Sequence, residues 1–329
     1  MRPRRGGNRA GFDVSVVIPA FGRPGETALA LRSALAQALP RGRRFEVLLV
    51  DDGSPEPLEA CLKPLVRSRP GAALRFLRQA NAGPAAARNL GAGRARAPLL
   101  AFLDSDAQAA PGWLAGGVEA MRLRPEWQVA EGLVLAKGGV EETPFTKKVE
   151  NPTGGRWLTC NLFVRRPAFL ALGGFDARFR DPVREDTEFA FRCLKAGLQV
   201  GTIPGARVWH PVQPIRVAHF FRWARDGRFE AFLERTYPRL YRRHLKWIDG
   251  RAIPAFHWPY YLGILAAFWY LPEGAALVAA GWAMTLYAWC RRRRTSWRDL
   301  ARLAWPALAV PYLRLFWVLW GYWKYPRLP

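Results

Sequence analysis

The sequence predicts an α/β protein in which a doubly wound, mainly parallel central sheet carries helices on both faces, followed by an apolar helical region at the C-terminus. Three observations lead to this prediction. In the first hundred residues, short uninterrupted apolar segments alternate with helical patterns, as in parallel sheets that are covered on both faces. Acidic or glycine-containing turns follow several of these segments, where ligands bind in open α/β sheets. The composition then changes near residue 250, after which long apolar runs dominate.

Each predicted element follows from its local pattern. Strands are expected where apolar residues run almost without a break, at residues 14–18, 45–50, 74–77, 99–103, 129–135 and 162–165. Helices are expected where helical patterns occur, at residues 26–39, 57–67, 84–95, 113–123 and 185–196. Residues 137–157 are rich in Gly, Pro, Glu and Thr, and we expect them to form a long loop.

The composition excludes a disordered chain and points to an anionic partner. Among 329 residues there are 50 Lys+Arg and 26 Asp+Glu, which gives a formal net charge of +24, and half of the residues are apolar. Apolar content at that level is incompatible with intrinsic disorder, and the positive charge favours nucleic acid, a phosphate-rich substrate or a lipid surface as partner. The four cysteines lie far apart, without the spacing of a metal or redox pair, so we expect reduced thiols.

Two apolar runs after residue 250 predict a membrane-associated region. Residues 253–271 and 274–290 are almost uncharged, and four consecutive arginines follow at 291–294. A helix that crosses a bilayer needs about 20 residues, so these runs are at the short end and fit a tight helical hairpin with its basic ends on the cytoplasmic side. The alternatives are a single kinked helix that spans the membrane and a buried helical subdomain of a soluble protein.

A third apolar run and a basic segment complete this region. Residues 304–323 are apolar but contain Pro306, Pro311 and, near the middle, Arg314, so an interfacial segment fits them as well as a spanning helix does. Residues 207–251 combine eleven Arg/Lys with aromatic side chains, a composition typical of segments at membrane interfaces and also of a solvated helix on a domain surface.

The triplet Asp104-Ser105-Asp106 is the first motif that carries chemistry. It follows the predicted strand at residues 99–103. Two carboxylates at positions i and i+2 of a turn can face one divalent ion, and oxygen ligands suit Mg²⁺ or Mn²⁺. A plain turn is the alternative, because Asp is common in turns.

Two further turns follow neighbouring strands. Asp51 and Asp52 precede Gly53-Ser54, and an acidic group there can bind a base or a ribose. The segment Asn81-Ala82-Gly83-Pro84 opens a helix in which Arg88 lies one turn inside, within reach of a phosphate. The alternative for Asp51 and Asp52 is a simple turn closed by Gly53, and the alternative for Arg88 is a surface arginine. Three such turns at successive strand ends are unlikely by chance.

Five ordered motifs resemble those of the inverting family 2 glycosyltransferases with the GT-A fold, of the bacterial type with C-terminal membrane-associated helices. The resemblance covers roughly residues 13–212 and rests on the motifs Ser15-Val16-Val17-Ile18-Pro19-Ala20-Phe21, Val50-Asp51-Asp52-Gly53-Ser54, Asn81-Ala82-Gly83-Pro84 with Ala87-Arg88-Asn89, Phe102-Leu103-Asp104-Ser105-Asp106, and Gly173-Gly174-Phe175-Asp176 with Arg184-Glu185-Asp186-Thr187-Glu188-Phe189. Together with the composition of the flanking segments, it predicts a basic tail at residues 1–12, a GT-A domain at 13–212, a juxtamembrane region at 213–252 and membrane-associated helices at 253–329.

The resemblance also implies the roles of the site residues. Those expected to bind the donor nucleotide are Pro19, Ala20, Phe21, Asp51, Asp52, Asn81, Gly83, Arg88 and Asp104, with Asp51 or Asp52 on the base and Asp52 favoured. Asp106, Asp104 and His210 are expected to bind Mg²⁺ or Mn²⁺, His210 either as a metal ligand or as a phosphate contact. In the pair Glu185-Asp186, Asp186 is expected to be the general base.

The resulting expectation is an enzyme at the cytoplasmic face of the cell membrane. It would move a sugar from a nucleotide-sugar, most commonly a UDP-sugar, to a hydroxyl of a lipid-linked or cell-surface glycan, with an anionic lipid surface as a further partner. A close alternative is transfer to polyprenyl phosphate, which needs no base. A nucleic-acid-binding protein is not favoured, because no nucleic-acid motif is found and the basic residues cluster near the apolar tail. A membrane scaffold without catalysis is not favoured either, because the acidic motifs are intact.

Overall fold

The computed structural model describes residues 11–65, 72–138, 141–245, 257–267, 269–291 and 293–325. The chain divides into two compact units. The first comprises residues 1–138 and 148–211, and the second comprises residues 139–147 and 212–329. Nearly all of the expected basic tail lies outside the described residues.

The first unit is built on an eight-stranded mixed sheet. Its strands are β1 (Val14–Ala20), β2 (Phe45–Asp51), β3 (Ala72–Arg78), β4 (Leu99–Phe102), β5 (Gln108–Ala109), β6 (Trp127–Lys137), β8 (Leu162–Arg165) and β9 (Gln199–Pro211). Their order across the sheet is β3-β2-β1-β4-β8-β6-β9-β5. Strands β1 to β4 run parallel to one another, whereas β8 is antiparallel to both of its neighbours.

Six helices accompany this sheet. They are α1 (Pro24–Leu35), α2 (Leu58–Leu62), α3 (Pro84–Arg94), α4 (Trp113–Leu123), α5 (Arg166–Ala171) and α6 (Glu185–Lys195). Strands β1, β2 and β4 are buried along their whole length, because apolar clusters cover both faces of the sheet. Their continuous apolar sequences predict this burial.

The second half of the sheet departs from the predicted pattern. Strand β9 has no counterpart among the expected elements, because Gly201, Pro204 and Gly205 interrupt its sequence. It is held by long-range pairing with β6, through a register shift between Gly132 and Leu133. The expected loop at residues 137–157 contains one short strand, β7 (Thr146–Lys147), and a bridge between Asn151 and Val134.

The second unit is mainly helical. Its described elements are β7, β10 (Gln213–Pro214), α7 (Ala218–Thr236), α8 (Pro238–Leu240), α9 (Trp258–Ala267), α10 (Leu271–Cys290) and α11 (Trp297–Lys324). Helix α11 begins in a capping box, in which the Ser296 hydroxyl accepts from the Asp299 N–H and the Asp299 carboxylate accepts from the Ser296 N–H.

The two apolar runs of the expected hairpin form α9 and α10, which pack against each other. That this hairpin spans a membrane stays a prediction; the described part of α9 has ten residues, about 15 Å of helix against a hydrocarbon core of about 30 Å. Pro272 lies in the first turn of α10, so this helix starts at Leu271 instead of after the Pro272-Glu273 break. Among the described residues, α11 alone is long and apolar enough to cross a membrane by length and composition. Residues 253–256 and 268 of the expected hairpin lie outside the described part of the chain.

Candidate active site

Two carboxylates and one imidazole meet at the edge of the sheet where β4 ends. Asp104 and Asp106 lie in the turn that follows β4, and the antiparallel pair Gln108–Trp209 brings His210 beside this turn. One ligand atom from each of Asp104, Asp106 and His210 lies within 4.8 Å of the other two. The Nε2 atom of His210 is 3.4 Å from Oδ1 of Asp106.

This cluster fits a divalent cation. The Nδ1 atom of His210 is 3.1 Å from the carbonyl oxygen of Pro211, an acceptor that favours a proton on Nδ1, so the Nε2 of a neutral His210 would be available to a cation beside Asp106. Burial disfavours the charged imidazole, but hydrogen bonding to Asp106 and the charges of Asp106 and Asp104 raise the pKa of His210 overall. Carboxylate oxygens and imidazole are ligands that suit Mn²⁺, and carboxylates with water suit Mg²⁺.

Arg88 joins this cluster to the helix that carries the proposed base. Its side chain is 2 % exposed. Its Nη2 donates to Oδ1 of Asp104 at 2.7 Å, and its Nη1 donates to Oε1 of Glu185 at 3.0 Å. Sequence reasoning assigned Arg88 to the nucleotide, whereas the structure directs both terminal nitrogens to carboxylates. One guanidinium therefore connects the turn after β4 to the first residue of α6.

Asp186 follows Glu185 in the first turn of α6. Its Oδ1 accepts hydrogen bonds from the N–H of Thr187 at 2.6 Å and from the Thr187 hydroxyl at 3.1 Å. Within the described part of the chain, its second oxygen has no hydrogen-bond partner. Burial raises the pKa of Asp186, and the Thr187 hydrogen bonds and Arg184 lower it in part. The helix N-terminus also favours an ionised carboxylate here. Asp186 can therefore accept a proton from a group placed at its second oxygen.

Asp51 ends β2 and Asp52 follows it, and both are buried hydrogen-bond acceptors. Asp51 accepts from the N–H groups of Ser54 and Leu58 and from Nη1 of Arg78, the last at 2.6 Å. Burial opposes these interactions, but together they lower the pKa of Asp51. Its carboxylate thus shapes the turn after β2.

Asp52 reaches across to the turn that precedes α3. Its Oδ2 accepts from the N–H of Gly83 at 2.9 Å, and its Oδ1 accepts from the N–H of Ala82 and from Gln79. The side chain of Asn81 donates to the Asp52 carbonyl oxygen at 3.0 Å. The two loops predicted to bind the nucleotide are therefore one hydrogen-bonded unit.

Gly83 lies where no other residue fits. Its φ is +93°, and a Cβ atom there would lie 2.5 Å from the carbonyl oxygen of Arg180. The absence of a side chain allows this loop to touch the segment that leads into α6.

The end of β1 supplies an exposed aromatic side chain. Pro19 and Ala20 are buried in pairing with β2, whereas Phe21 is 54 % exposed. Of the three residues assigned to the base pocket, Phe21 is the one with a ring accessible for stacking.

Sequence reasoning missed three side chains that hold the site together. Asn89 exchanges two hydrogen bonds with the backbone of Phe175, and Arg192 donates to the carbonyl oxygens of Leu172 and Gly174. These contacts fix the glycine turn before α6. The signal was present, since Asn89, Gly174 and Arg192 all belong to the motifs quoted above or directly follow them.

Glu131 is the third missed side chain. It is buried in β6 and accepts hydrogen bonds from the Asn151 side chain at 2.6 Å and from the Trp157 N–H at 2.7 Å. Its sequence signal is a lone carboxylate in an otherwise apolar strand. The Trp157 ring in turn contacts Phe191 of α6, so Glu131 anchors the loop that packs on this helix.

Cys160 lies near the site but is unsuited to nucleophilic chemistry. All four cysteines are free, and Cys160 and Cys193 are buried. Burial and the nearby charges of Asp104 and Asp106 raise the pKa of the Cys160 thiol well above its ordinary value, which makes it a poor nucleophile.

Two family models match the chain. The model for glycosyl transferase family 2 matches residues 15–171, and the model for glycosyl transferase family group 2 matches residues 99–323, which is more than half of the chain.

Named relatives match parts of the chain. An uncharacterized glycosyltransferase of Rickettsia felis is 38% identical over 93 residues, 28% of this chain and 14% of that protein. The O-antigen biosynthesis protein RfbC of Myxococcus xanthus is 28% identical over 270 residues, 74% of this chain and 20% of that protein. The undecaprenyl-phosphate 4-deoxy-4-formamido-L-arabinose transferase of Pseudomonas aeruginosa is 26% identical over 220 residues, 66% of this chain and 60% of that protein. In each case the match spans less than two thirds of the relative.

Solved structures confirm the predicted fold class. The mannosyltransferase PcManGT of Pyrobaculum calidifontis, in complex with GDP-Man and Mn²⁺, superposes with a TM-score of 0.55 at 21% identity and covers 94% of this chain and 87% of its own. The S. aureus protein TarS gives a TM-score of 0.54 at 16% identity, with 92% of this chain and 54% of its own covered. The motifs, the GT-A-like sheet and the family models agree, and the chain belongs to glycosyltransferase family 2.

Proposed function

We propose that this glycosyltransferase moves a sugar from a nucleoside-diphosphate sugar to a hydroxyl group of a lipid-linked or cell-surface glycan, with inversion at the anomeric carbon. The observation that carries the proposal is the bridge formed by Arg88, which joins the Asp104–Asp106–His210 cluster to the Glu185-Asp186 pair. A cation-binding cluster and a carboxylate with an unengaged oxygen are then neighbours in one site.

The cluster supports a donor with a diphosphate leaving group. A divalent cation held by Asp104, Asp106 and His210 would offset the negative charge that develops on the leaving diphosphate. The buried Arg88 holds Asp104 in place at 2.7 Å, and the joined loops of Asp52 and Gly83 supply a rigid wall on which a nucleotide can rest. Phe21 is the candidate for stacking on the base.

Asp186 fits the role of base, and Glu185 fits a supporting role. The Glu185 carboxylate is engaged by Arg88, so it orients the site instead of moving a proton. Asp186 would accept the proton of the attacking hydroxyl as the new glycosidic bond forms. The hydroxyl approaches the anomeric carbon from the face opposite the diphosphate, so the configuration inverts and no covalent intermediate with the protein is formed.

We further propose that the enzyme acts at the cytoplasmic face of the cell membrane on a lipid-linked acceptor. The apolar helix α11 supports membrane association. The Pseudomonas relative is named for transfer to undecaprenyl phosphate and RfbC for O-antigen biosynthesis, and both names favour envelope glycans.

Transfer to polyprenyl phosphate is the second candidate, favoured by the name of the Pseudomonas relative. A phosphate acceptor is already ionised and needs no base. The variant Asp186→Asn separates the two candidates: a hydroxyl acceptor predicts a loss of at least about a hundredfold in transfer rate, whereas a phosphate acceptor predicts activity within a few-fold of the original protein.

The donor is identified by a thermal-shift screen. UDP-, GDP- and dTDP-sugars are tested with Mn²⁺ or Mg²⁺, because a ligand that binds the native state raises its stability. We expect a UDP-sugar to give the largest cation-dependent shift, and GDP-mannose is included because the Pyrobaculum structure contains it. The selected donor, radiolabelled, is then incubated with a membrane lipid extract. The absence of any shift across all donors, together with the absence of transferred label, would contradict the proposal.

A further inference from the structure

Helix α11 exposes an apolar face that soluble proteins seldom leave bare. Between Arg302 and Lys324 its sequence carries one charged side chain, Arg314. The side chains exposed along this stretch are large and apolar, namely Trp305, Leu313, Phe316, Leu319 and Trp323. Phe316 and Leu319 are 57% and 58% exposed.

The opposite face of α11 packs on α7 and contains Arg314. The guanidinium of Arg314 donates to the carbonyl oxygen of Trp223 at 2.9 Å and lies 4.2 Å from the centroid of its ring. Further along, a Cβ atom on Gly321 would lie 2.5 Å from the carbonyl oxygen of Arg228. The two helices are therefore in close contact over several turns.

Helix α7 cannot enter the hydrocarbon core of a bilayer. Seven of its 19 residues are ionisable Arg, Asp or Glu, namely Arg222, Arg225, Asp226, Arg228, Glu230, Glu234 and Arg235. Each such charge is strongly unfavourable at the centre of a membrane. Helix α7 packs along α11, and its Arg222 is exposed. A bilayer that surrounded α11 would therefore bring charges of α7 into its core, which favours a position of α11 at the membrane surface.

Charge and aromatic side chains at the border of the apolar face match an anionic lipid surface. The cations Arg291, Arg293 and Arg298 are exposed near its start, and Lys324 is exposed at its end beside Trp323. Tryptophan and basic side chains favour the headgroup region, where anionic lipids add attraction for cations. Helix α10 continues the surface, since Nε1 of its exposed Trp282 donates to the carbonyl oxygen of Ala304 at 2.9 Å.

We infer that α10 and α11 dock on the surface of an anionic bilayer, with α11 lying in the plane of the membrane interface. The large side chains of its exposed face insert among the headgroups and upper acyl chains, while α7 stays on the aqueous side. This inference rests on the proposed membrane-bound function and names the lipid surface as the partner of the second unit.

The first test measures binding of the full-length protein to vesicles of phosphatidylcholine and phosphatidylglycerol at a ratio of about three to one. The double variant Phe316→Glu/Leu319→Glu should bind about 10- to 100-fold more weakly, because two inserted side chains lose their apolar contact. The matched control is Leu123→Glu, which alters an apolar side chain of the first unit that is 61% exposed; it should bind like the original protein. Equal binding of the double variant and the control would overturn the inference, as would failure of the original protein to bind.

The second test measures which side of the membrane the helix ends face. Tyr270→Cys, Trp297→Cys and Lys324→Cys are each labelled with a membrane-impermeant maleimide in sealed vesicles, and labelling of the four native cysteines is subtracted. In-plane docking predicts that all three sites react from the same face. Reaction of Trp297→Cys and Lys324→Cys from opposite faces would show a spanning α11 and overturn the inference.

Two controls distinguish membrane docking from the proposed enzyme function and from self-association of the protein. Donor hydrolysis is measured on the same samples: vesicle binding without any donor hydrolysis would contradict the proposed enzyme function and leave the docking intact. Sedimentation without vesicles measures self-association. If the original protein forms dimers that the double variant does not, and neither binds vesicles, the face is a protein interface and the inference fails.

Discussion

Replacing Arg88 by methionine should destabilise the protein strongly, because it leaves buried carboxylates without their cation. Arg88 and Glu185 are almost fully buried, and Asp104 is about a quarter exposed. Removing one partner of a buried ion pair typically costs about 3–5 kcal/mol. For a domain of this size, about 1 kcal/mol changes the melting temperature by about 2–4 °C, so Arg88→Met should lower it by roughly 6–20 °C.

The pH dependence identifies which carboxylate is responsible. Burial raises the pKa of Glu185, and Arg88 offsets part of that rise, so the Glu185 pKa should be higher still in Arg88→Met. A protonated Glu185 needs no cation. The stability lost in Arg88→Met should therefore be larger at pH 8 than at pH 6. At pH 6, Glu185 keeps its proton in the folded state. At pH 8, the carboxylate ionises readily in the unfolded state, but in the folded variant it would have to ionise without its cation.

Thermal unfolding of the original protein and three variants provides the measurement. Arg88→Met/Glu185→Gln should be more stable than Arg88→Met alone, because glutamine removes the unpaired charge. Arg122→Met is the matched control, since it breaks an exposed pair with Glu119 and should melt like the original protein. If Arg88→Met melts like Arg122→Met at pH 8, the buried bridge does not stabilise the site and the reasoning is refuted.

Three further predictions concern the site. Asp106→Ala should lose Mn²⁺-supported donor binding in calorimetry while its melting temperature stays near that of the original protein; unchanged affinity would remove Asp106 from the metal site. Because a cation needs the neutral imidazole and the pKa of His210 is raised, Mn²⁺ affinity should increase as the pH rises through that pKa; a flat profile that His210→Ala does not alter would exclude His210 as a ligand. Gly83→Ala should weaken donor binding and lower the melting temperature, because it introduces a Cβ against Arg180; wild-type values for both would show that the loop contact is not tight.

The parts of the fold that sequence could predict are those that local patterns determine. Strands β1, β2 and β4 have continuous apolar sequences, α3 begins directly after the recognised Asn81-Ala82-Gly83 turn, and α6 begins at the predicted Glu185. The acidic motifs lie where such strands end, so the sequence also indicated the edge at which Asp104 and Asp106 lie together.

The parts of the fold and of the site that sequence could not predict depend on residues far apart in the chain. Strand β9 exists because β6 pairs with it, although glycine and proline weaken its own pattern. The position of Arg88 between Asp104 and Glu185 joins residues nearly a hundred positions apart, and no local spacing encodes that. Helix α11 continues through Pro306 and Pro311, which a local pattern would treat as breaks.

The most direct test of the central claim is the configuration of the first sugar product. A donor with an α-linked sugar is incubated with the full-length protein and Mn²⁺, with water in place of the acceptor, and the released sugar is followed by proton NMR before it mutarotates. A single displacement assisted by Asp186 predicts that the β-anomer appears first and that Asp186→Asn releases it at least about a hundredfold more slowly. Release of the α-anomer first, or an unchanged rate in Asp186→Asn, would contradict the account.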